Sequence, residues 1–147
     1  MTGATAAASA AGTPDEVLAF WFAPGTEERW FAKGDTAFDA LVRDRLGPPA
    51  EAAAEGRLDA WADTARGALA LVVLLDQAPR NLRRGSPEAF AQDAKARAVA
   101  TRVIERGLDA GLGPAERLFL YLPFEHSEDL ADQDRSVELT GRIGDPE

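Results

Sequence analysis

The chain has no cysteine, one histidine, one tyrosine and a single methionine at its start. Without cysteine there is no disulfide, no thiol nucleophile and no thiolate metal site. Lysine is almost missing as well, with Lys33 and Lys95 the only two among 16 basic residues. The formal charge of -9 excludes a general nucleic-acid binder, because phosphate affinity comes from neutralising cations. No apolar run approaches the roughly 20 residues of a bilayer span. The longest, Ala68 to Leu75, is eight residues. Residues 1–12 carry neither the basic start nor the apolar core of a signal peptide. A cytoplasmic protein without a membrane partner is therefore expected. Also missing are a Gly-x-Ser-x-Gly elbow, a Gly-rich phosphate loop in a strand–helix context, a His-x-x-x-His pair and a calcium-loop pattern. No cofactor and no metal are expected.

What is present reads as helix. With 147 residues, 46% of them hydrophobic and 28% charged, the chain is long enough for one domain with its own core. Residues 1–12 read as a flexible tail and residues 13–147 as a single helical domain. Thr13-Pro14-Asp15-Glu16 combines a cap, a proline at the first helical position and a capping-box glutamate. The apolar Val17 to Phe22 follows, closed by Pro24-Gly25. A short segment from Glu27 to Lys33 carries Trp30 and Phe31. Phe38, Leu41, Val42 and Leu46 recur at helical spacing, so a helix is expected from Asp35 to Leu46, with Gly47-Pro48-Pro49 as a stop. A small alanine-rich helix from Ala50 ends at Gly56, with Leu58 and Trp61 packing back on the core. Thr64 opens the most apolar segment, the expected central helix, which Pro79 should end. Ser86-Pro87-Glu88 predicts a short helical turn. Asp93 is read as the cap of a helix to Arg106, and Gly113-Pro114 opens another with a kink or break at Pro123. A last helix should run from Ser127 to Arg142. No segment alternates with period two, and no internal repeat is evident. The fold class is all-α, an antiparallel helical array.

Two stretches set charged or amide groups directly against apolar runs, where they cost free energy unless paired. In Asp76-Gln77-Ala78-Pro79-Arg80-Asn81, Arg80 offers a planar fork for a carboxylate or phosphate. The competing reading is structural: Asp76 pairs with Arg80 or caps a neighbour, and Asn81 shapes a turn. In Glu125-His126-Ser127-Glu128-Asp129, surrounding negative charge favours the imidazolium of His126, a candidate general acid or base. Glu125 or Glu128 would orient it, although the same residues also suit a helix start. Arg80, Arg83 and Arg84 form the one local basic cluster. The pairs Trp21-Phe22 and Trp30-Phe31 suit core packing better than a ligand cage.

These residues carry a resemblance. Val17 to Phe22, Trp30-Phe31 with Phe38-Asp39, Leu74 to Asn81 with Arg84-Gly85, and Ala89-Phe90-Ala91 with Asp93 are similar to the bacterial domain-of-unknown-function family 924. Phe119 to Asp129 with Gln133 is the longest matching stretch. The resemblance runs from about residue 14 to the end and implies a tetratricopeptide-like helical fold, with no reaction to carry over. It also implies that the two polar stretches form a shared site. Ala78 and Arg83 stand where such sequences look aromatic, so the wall beside Asp76 and Arg80 should differ. Chains of this kind continue past the position of Glu147 into a further helical segment. If that segment lines the site, this chain is inactive or completes the site with a partner, and self-association through apolar surface near the C-terminus is expected. Two functional readings follow. One is a binding module in which Asp76, Gln77, Arg80, Asn81 and Tyr121, with the 125–129 stretch, hold a small polar or anionic ligand or a peptide. The other is an enzyme using His126, Glu125 and Glu128, with Arg80 as the anion anchor.

Overall fold

The computed structural model describes residues 13–26, 29, 36–83, 86–125 and 130–143. Helix α1, Pro14–Trp21, starts on the expected capping box. The Glu16 amide donates to Thr13 Oγ1 at 3.2 Å, and the Thr13 amide donates to Glu16 Oε1 at 2.9 Å. Trp21 is fully buried, edge-on to Phe119 at 5.6 Å and tilted against Phe38 at 5.9 Å. Phe22 meets the same Phe119 ring at 5.6 Å, so this pair is core. The tail at 1–12, the 27–33 segment and its Trp30-Phe31 pair lie outside the described residues.

Helix α2 runs from Thr36 to Ala54 and contains Pro48 and Pro49, so the expected stop at Gly47-Pro48-Pro49 is overturned. Each proline removes a helical hydrogen bond and crowds the preceding turn, at about 3 kcal/mol in a helix interior. Packing offsets this, because Pro49, Ala50, Ala52 and Ala53 are all buried. Lys95 holds the far end, with Nζ donating to the Ala53 carbonyl at 3.0 Å and pairing with Asp59 at 3.0 Å. Gly56, at φ +84°, then closes the helix as expected. The amides of Gly56 and Arg57 donate to the carbonyls of Ala53 and Ala52 at 3.1 and 3.0 Å, a pattern that needs a left-handed residue.

After a 3-10 turn at Asp59–Asp63 comes the central helix, α3, Ala65–Val72. Thr64 caps it, its hydroxyl accepting from the Gly67 amide at 3.0 Å. Every residue from 67 to 79 is buried. The helical path does not end at Pro79. It widens into a π turn, Val73–Gln77, with the Ala78 amide bonded to the Val73 carbonyl, and continues as α4, Ala78–Leu82. The wider turn explains the difference. An inserted residue moves the carbonyl that a proline ring would otherwise strike, and it removes the demand for a proline amide.

A 3-10 turn at Pro87–Phe90 leads to α5, Asp93–Glu105. Gln92, rather than Asp93, holds the cap position, which frees the Asp93 carboxylate for another partner. A turn at Leu108–Gly111 precedes α6, Pro114–Glu125. This helix continues two residues past Pro123, so of the kink or break expected there, the break does not occur. Phe119 to Phe124 are all buried, so packing holds the final turn. Helix α7 is Leu130–Ile143. Its Ser136 and Leu139 are buried, while Leu130 and Val137 are exposed at 76% and 74%. Among the described residues of this helix, these two are the exposed large apolar side chains. The described residues contain no strand, so the fold is all-α. No helix among them is long and apolar enough to cross a membrane.

A methyl group on Gly67 would overlap the carbonyl oxygen of Trp61 and lie 2.9 Å from Thr64 Oγ1. Gly67→Ala gains about 1 kcal/mol in helix propensity and should nonetheless destabilise the fold by about 2 kcal/mol net through overpacking. Urea unfolding measures this; an unchanged midpoint would show that the Trp61 turn yields freely.

Candidate functional site

The π turn places Asp76 where it has no solvent exposure at all. Gln77 Nε2 donates to Asp76 Oδ2 at 2.7 Å, and Arg80 Nη1 donates to the Asp76 carbonyl oxygen at 2.8 Å. The Arg80 guanidinium lies 3.8 Å from the Asp76 carboxylate. Its fork is completed by Asp93, with Nη1 and Nη2 donating to the two carboxylate oxygens at 3.1 and 3.3 Å. The Phe90 ring covers it, 4.9 Å from the guanidinium carbon. Asn81 Nδ2 donates to Asp39 Oδ1 at 2.8 Å. Four of the expected site residues thus come together, bonded to one another, to α2 and to α5. The arrangement is a polar seam in which each of the four side chains already has a partner within the protein.

Beside this seam lies a cavity of about 400 Å³, lined on one side by Arg43, Gly47, Ala50, Glu51 and Ala54 of α2. Pro79, Leu82 and Arg83 form the other side, Leu74 the floor, and Ala91 and Gln92 one edge. Its size suits a small ligand, for which pockets of about 300–1,000 Å³ are usual. Arg43 and Arg83 are exposed, and among the described residues neither guanidinium has an ion pair or side-chain hydrogen bond. A hollow of about 750 Å³ runs beside Ala37, Ala40, Leu41, Arg43, Asp44 and Pro48. All of those residues belong to one face of α2, so among the described residues it has no second wall.

Tyr121, also expected at the ligand, lies 2% exposed in α6, and its hydroxyl donates to Asp109 Oδ2 at 2.6 Å. Burial first, then the hydrogen bond and charge of Asp109, push its phenol up to about 12, with Arg117 pulling the other way. Glu125 is exposed at the end of α6 and does not border the cavity. His126, Ser127, Glu128 and Asp129 lie outside the described residues, as do Arg84 and Gly85.

Reading the sequence for chemistry missed Asp39 as a partner, although it sits beside Phe38 and Val42 on the buried flank of α2. A carboxylate on an apolar stripe was the signal. Arg43, Glu51 and Gln92 were missed too. They look like any solvated helix residues until two helices are seen to share a hollow. Ala78, flagged as a departure in the wall, is fully buried; Arg83, flagged with it, stands on the cavity rim.

An all-α array with a buried polar seam beside an open groove defines a class of helical proteins rather than a reaction. Within that class, the chain belongs to the family described as bacterial protein of unknown function (DUF924), whose model matches residues 17–147. A solved structure, that of the protein of unknown function ATU0120 from Agrobacterium tumefaciens, is 41% identical. The match has a TM-score of 0.84 and covers 90% of this chain and 74% of that one. No curated protein matches.

Arg80→Lys keeps the charge but loses the fork that spans Asp76 and Asp93. With the site partly open to solvent, it should cost about 1–2 kcal/mol, read by chemical denaturation; wild-type stability would mean the seam carries no energy. Tyr121, the sole tyrosine, should ionise at about pH 12 in the folded protein, against roughly 10 when free. Because the folded value is raised, its contribution to stability is full below about pH 10 and is lost as pH climbs towards 12. An ultraviolet tyrosinate titration with a midpoint near 10 in folded protein would contradict the buried Asp109 contact.

Proposed function

We propose that the protein is a binding module of tetratricopeptide-like design that takes a small anionic ligand with an apolar body in the groove between α2 and α4. One observation carries this: Arg43 and Arg83, two guanidiniums without partners among the described residues, both border an otherwise mostly apolar cavity of about 400 Å³. The expected anchor, Arg80, is bonded to Asp93 and Asp76 and serves here to fix the wall that Pro79, Leu82 and Arg83 build. Arginine forks suit carboxylates and phosphates, and the alanine, leucine and proline lining suits a short hydrocarbon body. A cytoplasmic setting belongs to the same proposal. The enzyme reading built on His126, Glu125 and Glu128 rests on the sequence alone.

The test is isothermal titration with hexanoate and with hexanamide, which differ only in charge. Hexanoate should bind and hexanamide should bind about tenfold more weakly, a difference of about 1.4 kcal/mol. The double variant Arg43→Gln, Arg83→Gln should abolish the distinction. Equal binding of the two probes, or a double variant that still discriminates, would overturn the proposal.

A further inference from the structure

The groove is charged differently at its two ends. Arg43, Gly47, Glu51 and Ala54 recur every three or four residues along α2, with Ala50 three past Gly47, and so all five share one face of it. Arg43 and Glu51 are eight residues apart, about 12 Å along the axis at 1.5 Å per residue. Two bonds fix which parts of the opposite wall meet each end. Asn81 on Asp39, at 2.8 Å, sets the 81–83 end of α4, with Arg83, at the Arg43 end of α2. Lys95 on the Ala53 carbonyl, at 3.0 Å, sets the start of α5, with Gln92 just before it, at the Glu51 end. Glu51 is exposed and has no ion pair among the described residues. Gln92 makes no side-chain capping bond, so its amide retains donors and an acceptor. Between the ends α2 offers Gly47 and Ala50, with Ala54 and Ala91 also small in the lining, which let another chain come close.

We infer that the natural occupant of this groove is a short peptide with free ends and small apolar side chains. Its carboxylate lies on Arg43 and Arg83, its amino group on Glu51, and a peptide group on the Gln92 amide. The inference rests on the anion-binding proposal above and narrows it. An extended chain advances about 3.3–3.6 Å per residue, so about 12 Å admits three or four residues. A simple carboxylic acid leaves Glu51 with nothing to bind, and a dicarboxylic acid meets repulsion there. An ammonium group about 12 Å from a carboxylate, joined by an apolar body, matches both ends.

Tetra-alanine, its N-acetylated form and its C-terminal amide, compared by isothermal titration on the full chain, test this. The free peptide should bind about tenfold more tightly than either blocked form. Glu51→Gln should remove the penalty for acetylation and leave the penalty for amidation. The double variant Arg43→Gln, Arg83→Gln should do the reverse. All three positions are exposed, so the variants should fold, and circular dichroism confirms that they have. Acetylation without effect, or a Glu51→Gln protein that still discriminates, overturns the peptide assignment. A protein that binds hexanoate through the two arginines but ignores tetra-alanine loses this inference and keeps the anion reading. Failure of both probes removes both.

Discussion

A central helical path with no access to water must satisfy every polar group it carries from within the protein. From Gly67 to Pro79 each residue is buried, yet the path carries Asp76 and Gln77 and leads directly to Arg80 and Asn81. Their needs dictate what stands around them. Asp93 must leave its cap position to meet Arg80, Asp39 must sit on an apolar flank of α2 to meet Asn81, and Gln77 must fold back on its neighbour. These bonds reach from the central path to α2 on one side and α5 on the other, so the relative placement of three helices follows from a few buried hydrogen bonds. Hydrophobic burial supplies the driving force, but it does not fix which residue faces which.

The fold class was legible because caps and periodicity are local signals. Thr13 with Glu16, Thr64 and Gly56 all act where their chemistry places them. The errors share one cause. Pro48, Pro49 and Pro79 were read as stops and Pro123 as a kink or break, and each lies inside a helical path. Proline's penalty is a local property, whereas the burial that offsets it depends on neighbours distant in sequence. At Pro79 the compensation is also geometric, since the preceding π turn removes the steric conflict. Such a turn, which itself carries Asp76, fits the wider tendency of π turns to occur where function demands unusual side-chain placement.

The site was legible in part. A run of polar groups against the most apolar segment announces that something must pair with it, and the pairing is there. The same rule cannot say whether the partner is a ligand or another helix. Here Asp39 and Asp93, respectively 42 and 13 residues away from the groups they meet, take those bonds. The groove itself left no trace in the sequence. Arg43, Glu51 and Gln92 become neighbours of Leu82 and Arg83 only once α2 and α4 are in register, and exposed helix residues carry no mark of what they will face.

That register bears on how an acidic protein would recognise the proposed anion. With a net charge of -9, the long-range field repels a negatively charged ligand. At physiological ionic strength this repulsion is screened beyond roughly 8–10 Å. On the proposed reading, recognition would depend on what the ligand meets at contact, where the two guanidiniums at one end of the groove are nearer to it than the surface carboxylates beyond the groove. Selection by contact rather than by steering puts discrimination into dissociation rather than encounter. It favours a ligand that matches charge at both ends of the groove over one that is merely negative.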